Sequence, residues 1–399
     1  MKKRKKAEAE SIIGSLSKQS KPALAVAFAC VVAFMGIGLV DPILQSIAKS
    51  LHATAAQTSL LFTSYMLVTG VVMLFTGFIS SRIGAKKTLL IGLVVIILFS
   101  FLGGLSGSVG ALIGFRAGWG LGNALFIATA LSTIIGVSTG GSEKAVIMYE
   151  AAMGMGMSVG PLIGGILGSF SWRGPFFGVA FLMLVAFVLV WFLLDPIAKP
   201  KKKAGVWEAL KALEHGGLKI TGLTALCYNF GFFTVLAYSP FLLRHFNALE
   251  VGFSFFGWGI LLAVSSVFLA PKFEKTYGTT KMLLFSLLGF AVVLGVMGIF
   301  TEYPVVIMFG IMISGFFQGI SNTLLTTTVM EVAPVERSIA SAAYSFVRFT
   351  GGAIAPYLAG KIAEWFSPHI TFYFAGVTVA VGSAILYSGR SYLQKIYLK

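Results

Sequence analysis

The sequence predicts an all-α integral membrane protein with twelve transmembrane helices in two pseudo-repeated six-helix bundles, and three observations carry that reading. Hydrophobic residues make up 57% of the 399-residue chain and charged residues 11%, for a mean hydropathy of +0.91. A soluble domain could not keep such a surface in water. The apolar residues fall into about twelve stretches near the ~20 residues a helix needs to cross a ~30 Å hydrocarbon core. The longest polar break, 195–218, then divides these stretches six and six. Helices are expected because a lipid-exposed backbone must satisfy its own polar groups, and the alternating ten-residue strands of a barrel are absent.

A basic tail, 1–21, comes first, with Lys2–Lys6, Lys18 and Lys21. A full-length span follows it, so it reads as a cytoplasmic tail and not a cleaved signal peptide. The N-terminal bundle, 22–194, holds six spans. Span 1 (22–46) carries Asp41-Pro42 near its end, and span 2 (57–80) stops before Arg82. Span 3 (88–106) starts after Lys86 and Lys87, and span 4 (109–137) contains Arg116. Span 5 (143–169) contains Glu150, and span 6 (172–194) stops at Asp195-Pro196. The lysine-rich cytoplasmic linker 195–218 leads to the C-terminal bundle, 219–388. There, span 7 (219–243) ends before Arg244, span 8 (251–270) before Lys272, and span 9 (281–300) opens on Lys281. Span 10 (304–330) ends before Glu331, span 11 (337–363) contains Arg348, and span 12 (367–388) leads to a basic cytoplasmic tail, 389–399.

With the N-terminus inside, about 24 of the 30 Lys and Arg residues fall on the cytoplasmic side, while Lys49, Arg173, Arg244 and Lys361 face outward. That asymmetry predicts a multi-pass protein of the cytoplasmic membrane with both termini inside, in contact with anionic lipid. It also argues against nucleic acid as a partner despite the net charge of +16, because such footprints cluster on one domain. Cys30 and Cys227 lie inside spans and form neither a disulfide framework nor a zinc site. His52, His215, His245 and His369 lie in loops or at span ends, so proton chemistry within the membrane falls to carboxylates. No metal or organic cofactor is expected, and no nucleotide loop or nucleophile–base pair suggests an enzyme. A monomer is expected.

The halves match at offsets of about 195–199 residues. Asp41-Pro42 corresponds to Ser239-Pro240, and Trp119-Gly120-Leu121-Gly122-Asn123 to Gln318-Gly319-Ile320-Ser321-Asn322. Ser158 through Gly165 corresponds to Ala353 through Gly360, pairing Pro161 with Pro356, and Arg82-Ile83-Gly84 corresponds weakly to Thr276-Tyr277-Gly278. Repeated six-helix halves imply a substrate path at their interface, opened alternately to each side. A duplicated scaffold without transport is the alternative.

At these residues the chain resembles the major facilitator superfamily, in its twelve-helix drug:proton antiporter branch, over about residues 22–388. Gly77-Phe78-Ile79-Ser80-Ser81-Arg82-Ile83-Gly84-Ala85-Lys86-Lys87 resembles the family's loop 2–3 motif, with Gly77, Arg82, Gly84 and Lys86 in place and Ser81 at the usual acidic position. Leu112 through Gly122 resembles the span 4 motif with its buried arginine, Arg116. Gly156-Met157-Ser158-Val159-Gly160-Pro161-Leu162-Ile163-Gly164-Gly165 resembles the span 5 motif that marks antiporters, and Asp41 resembles the acidic position on span 1. The resemblance implies the major facilitator fold, gating through the loop and span 5 motifs, and a proton gradient as the energy source.

Three residues are the candidates for proton coupling. Asp41 lies about 27 Å along span 1, and Arg116 about 10 Å from the opposite start of span 4, depths that permit contact. They form a releasable switch or a fixed salt bridge, or Asp41 simply ends its helix before Pro42. Glu150 opens an apolar segment followed by the small-residue ridge Gly156, Gly160, Gly164, which lets helices approach closely. With no evident partner in its span it is expected to be the principal proton site, or else a carboxylate bonded to nearby backbone or hydroxyls. Phe34, Tyr149, Tyr228, Tyr238 and Tyr344 offer aromatic surface for bulky, partly apolar ligands. Asn123, Gln318 and Asn322 either line a cavity or bond between helices. Arg348, mid-span in helix 11, binds an anionic group or pairs with a carbonyl. Together these predict a proton-coupled exporter of drug-like or amphiphilic small molecules. The alternatives are a dedicated exporter of an endogenous metabolite such as a siderophore, a lipid flippase, or a non-transporting membrane receptor.

Overall fold

The computed structural model describes residues 20–139, 141–196, 205, 207–333, 335, 337–390 and 392. Residues 1–19, 391 and 393–399 of the expected tails and linker residues 197–204 and 206 lie outside the described residues, as do the side chains at 141–144, 146–147, 150, 330, 337 and 338.

Among the described residues there are twelve long helical rods and no strand. α1 (Lys21–Gly38) begins where Ser20 accepts from the Ala23 amide, with Pro22 in the first turn. It stops short of a full crossing. A 3₁₀ turn, Asp41–Ile43, and a helical segment, Leu44–Ser50, complete the rod. Pro42 supplies the reason: it has no N–H to donate, and its ring would strike the carbonyl of Gly38. The matched position behaves alike. α7 (Gly216–Tyr238) gives way to a 3₁₀ turn, Ser239–Leu242, at Pro240.

α2 (Ala55–Ile83) opens on a capping box between Thr54 and Gln57. Gly84, at φ 95°, turns the chain directly into α3 (Ala85–Leu105). In the second half α8 (Ala248–Val264) opens on a capping box of Asn247 and Glu250, and continues through a π-helical turn, Ser265–Leu269, and a last segment, Ala270–Tyr277. Gly278, at φ 85°, then turns it into α9 (Thr279–Ile299). Only glycine adopts that backbone region without strain, and the two positions are matched in the repeat. The other rods are α4 (Val109–Val137), α5 (Gly141–Phe170), α6 (Gly174–Leu193), α10 (Pro304–Val332), α11 (Arg337–Trp365) and α12 (Pro368–Ser388). A short helix, Glu208–Ala212, lies in the linker and packs on α11.

Eleven rods are long and apolar enough to cross a membrane; α11 is the exception. It carries Tyr344, Arg348, Lys361 and Glu364, so polarity lowers its hydropathy without shortening it.

α5 and α11 hold the molecule together. A Cβ at Gly156, Gly160 or Gly164 would strike the backbone carbonyls of Val31, Met35 and Leu39, so the predicted small-residue ridge seats α5 directly on α1. The opposite face of α5 meets α8 across the halves, where Gly252 approaches the Pro161 carbonyl and Gly165 the Ala248 carbonyl. α11 repeats the arrangement: Gly351 lies against the Leu226 carbonyl of α7, and Gly360 lies against Ala56 of α2. At the end opposite the chain termini, Gln45 donates to the Pro240 carbonyl, tying one half to the other.

Candidate functional site

The 3₁₀ break in the first rod creates the charged centre. Gly36 lies in the last turn of α1, where carbonyls have no helical donor. Arg116 of α4 fills that role, donating from Nη1 to the Gly36 carbonyl at 3.3 Å and from Nε to the Leu61 carbonyl of α2 at 3.4 Å. Its guanidinium carbon sits 4.4 Å from the Tyr65 ring centroid and 4.6 Å from that of Trp119. The two rings meet edge to face at 6.2 Å. Arg116 is fully buried, so these carbonyls and ring faces replace its water.

Asp41 opens the 3₁₀ turn and is also fully buried. Its carboxylate oxygens have no hydrogen-bond partner among the described residues, and no direct contact joins them to Arg116. The two charges act on one another across a gap. Pro161 of α5 closes the other side: a Cβ on Gly38 would lie 3.1 Å from the Pro161 ring and 3.5 Å from Asp41 Oδ2. The structure thus brings the expected span 1, span 4 and span 5 residues to one place. Asn123, two turns beyond Arg116 on α4, is buried with both amide atoms unpartnered. Glu150 lies on α5, but its side chain is outside the described residues.

The second half holds a neutral counterpart. The Trp258 indole of α8 donates to Gln318 Oε1 of α10 at 2.7 Å, and the Tyr228 hydroxyl of α7 donates to the Gln318 carbonyl at 2.9 Å. Gln318 therefore pins three helices, and it stands where the repeat places Trp119. Asn322, the match of Asn123, is buried with Oδ1 unpartnered.

The other ligand candidates divide into groups. Phe34 and Tyr149 stack edge to face at 5.8 Å between α1 and α5. Arg348 Nε donates to Asn229 Oδ1 at 3.4 Å, with Tyr228 and Tyr344 in its field. Tyr238 stands apart, packed on Phe241 and on Phe372 of α12 beside the 3₁₀ turn.

In the loop 2–3 motif, Lys86 Nζ donates to the Trp191 carbonyl of α6 at 3.0 Å. Arg82 donates to the Phe78 carbonyl at 3.1 Å and lies over the Phe78 ring. Ser81, at the usual acidic position, donates to that same carbonyl at 3.0 Å. Gly77 is exposed, and Gly84 makes the turn.

Sequence reasoning missed Tyr65, Trp258 and Asn229 as site residues. Asn229 left a readable signal, as the one carboxamide in span 7 beside Tyr228. Tyr65 and Trp258 left none, because nothing in a sequence tells which aromatic of a membrane span turns inward.

The Major Facilitator Superfamily model matches residues 26–275 and 221–395. The chain belongs to the Major Facilitator Superfamily. Its overlapping matches cover both halves, as an internally repeated fold requires. The multidrug efflux protein YfmO of Bacillus subtilis (strain 168) is 54% identical over 381 residues, covering 96% of each chain. Multidrug resistance protein 1 of the same organism is 25% identical, covering 89% of this chain and 92% of its own. Among solved structures, a bacterial homologue of the human lysosomal transporter Spinster, inward-facing and unoccupied, superposes with a TM-score of 0.75 at 15% identity. That superposition covers 94% of this chain and 97% of the other. The protein is therefore a multi-pass membrane protein with the major facilitator fold.

Proposed function

We propose that this protein exports drug-like or amphiphilic small molecules across the cytoplasmic membrane in exchange for protons, by alternating access. The observation that carries the reading is the 54% identity, across 96% of both chains, to a protein described as a multidrug efflux protein. The charged centre supports the coupling. A buried carboxylate without a hydrogen-bond partner is costly, and either a proton or a closer approach of Arg116 relieves that cost. Asp41 and Arg116 then act as a switch that substrate or proton releases, with Pro161 between Asp41 and the α5 seam. Glu150, one carboxylate within an apolar span, is the principal proton site of the proposal. Protonation with the site open outward releases cargo, and deprotonation to the cytosol resets it. Proton, cargo and surrounding lipid are its partners, and it works as a monomer with both termini inside.

The test is proton-driven uptake of a lipophilic cation and a fluoroquinolone into everted vesicles. Wild type concentrates at least one of them and loses that ability when the gradient is collapsed. Full-rate pumping by Glu150→Gln against a gradient would remove Glu150 from the mechanism. Uptake indifferent to the gradient would remove proton exchange altogether.

A further inference from the structure

Arg348 is a cation near the middle of α11 with no carboxylate within 4.0 Å among the described residues. The second half cannot easily supply one. Glu208, Glu214 and Glu336 precede α7 and α11, and Glu250 and Glu274 lie at the ends of the α8 rod. Glu302 precedes α10, and Glu331 and Glu364 end α10 and α11. A charge at membrane depth is kept only where it has a partner or a wet, functional surrounding.

The surroundings of Arg348 are arranged around its guanidinium. Asn229 Nδ2 donates to the Ala225 carbonyl at 2.9 Å, which fixes the amide and turns Oδ1 towards Arg348 Nε. Gly351 draws α11 onto the α7 backbone at Leu226, so the two helices meet with little between them. Tyr228 and Tyr344 are buried beside the charge, and Asn229 is fully buried. Arg348 itself is only half-buried, so its head reaches accessible space. The Asn229 bond engages Nε, and the Nη1–Nη2 edge has the spacing of a carboxylate's two oxygens.

We propose that Arg348, positioned by Asn229, is an anion-recognition site for cargo: the molecules it selects carry a carboxylate or an equivalent anionic oxygen pair beside an apolar body. The Tyr228 ring supplies an apolar wall beside that group, and Tyr344 adds a ring and a hydroxyl with no hydrogen-bond partner among the described residues. The inference rests on the export reading above and narrows its substrate class. A lipid headgroup phosphate offers the same oxygen chemistry, so the experiment separates the two sources.

The full-length protein is reconstituted in phosphatidylcholine vesicles, with and without phosphatidylglycerol, and tested with a fluoroquinolone and its methyl ester. Wild type favours the free acid. Arg348→Gln weakens transport of the acid about ten- to a hundredfold more than that of the ester, the value of hydrogen bonds to a charged group. Arg348→Lys keeps the charge but not the fork, and gives an intermediate loss for the acid alone. Asn229→Ala raises KM for the acid without changing kcat for the ester. Thermal stabilisation of the purified protein gives a readout independent of transport: the acid raises the wild-type Tm more than the ester does, and the difference vanishes in the Arg348 variants. Equal stabilisation by acid and ester in wild type overturns the inference. So does an equal loss of both compounds in Arg348→Gln and Arg348→Lys. An Arg348 effect confined to phosphatidylglycerol vesicles assigns the site to lipid and overturns it as a cargo site. If acid-selective stabilisation holds while neither compound is pumped, the export reading fails and the anion site stands.

Discussion

Asp41 and Arg116 are buried in the same half, yet each satisfies its surroundings differently. Arg116 spends Nε and Nη1 on carbonyls and its faces on aromatic rings, leaving Nη2 unpartnered among the described residues, while neither oxygen of the Asp41 carboxylate has a partner there. Two consequences follow from that asymmetry. Asp41→Asn removes a buried charge but keeps the shape, so the variant folds with an unchanged or higher Tm while proton-driven uptake is lost. Arg116→Gln leaves the carboxylate without its opposing charge among the described residues and destabilises by about 3–5 kcal/mol, much of which Asp41→Asn restores in the double variant. Thermal unfolding of the four proteins measures this, and strictly additive losses would show that the two charges are uncoupled. On the neutral side, Trp258→Phe orphans Gln318 Oε1 and costs about 1–3 kcal/mol. These residues were unequally legible. Asp41 and Arg116 were visible as rare charges in apolar spans, whereas Tyr65 and Trp258 were hidden among many aromatics whose facing only packing decides.

At the scale of the helix, the glycine ridge of α5 is a surface shaped to accept another backbone. Gly160→Leu forces its side chain into Met35 of α1, where a Cβ alone would come within 2.6 Å of the carbonyl. Overpacking of that kind costs about 1–3 kcal/mol or more, and lower Tm and yield in membranes are expected. Gly136 on α4 is the control, since a Cβ there meets nothing within 4 Å. Gly136→Ala is neutral or stabilises by up to about 1 kcal/mol, because glycine inside a helix carries an entropic cost. The ridge itself was readable as a four-residue repeat. Its two-sided contact was not, because spacing shows that a helix can be approached closely but not by which neighbours. The break in the first rod was half visible: Pro42 announced it, but span 1 was expected to run to 46 and the α-helix stops at Gly38.

At the scale of the molecule, α5 against α8 and α2 against α11 are the seams between the two sets of six helices. A Cβ at Gly154 of α5 would lie 3.3 Å from the Ala263 Cβ of α8, close to the separation a disulfide bridges. In a background with Cys30 and Cys227 replaced, Gly154→Cys with Ala263→Cys should cross-link under mild oxidation. Transport should then stop and return on reduction, if the halves separate there during each cycle. Undiminished transport by a fully cross-linked protein would show that the halves do not part at this seam. The Gln45–Pro240 bond between the halves predicts a subtler effect. Gln45→Ala loosens the end opposite the termini, seen as faster labelling of cysteines introduced beside it.

The membrane class, the helix count, the repeat and the resemblance to a transporter family are all legible in the chain before it folds. Each of these is written in one dimension, as hydropathy runs, charge flanks and offsets. Even the small details of the repeat followed, since Pro42 and Pro240 break their helices alike and Gly84 and Gly278 turn alike. The pairing of Asp41 with Ser239 already shows that the halves differ in charge, but only the tertiary structure set Arg116 among carbonyls and rings in one half and pinned Gln318 with Trp258 and Tyr228 in the other. It also decided that Asp41 and Arg116 act across a gap and not in contact, and that Arg348 leans on Asn229. Partners of a buried polar group come from helices far apart in the chain. Their meeting is set by which backbones the glycine seams allow to touch, and no spacing along one helix contains that information.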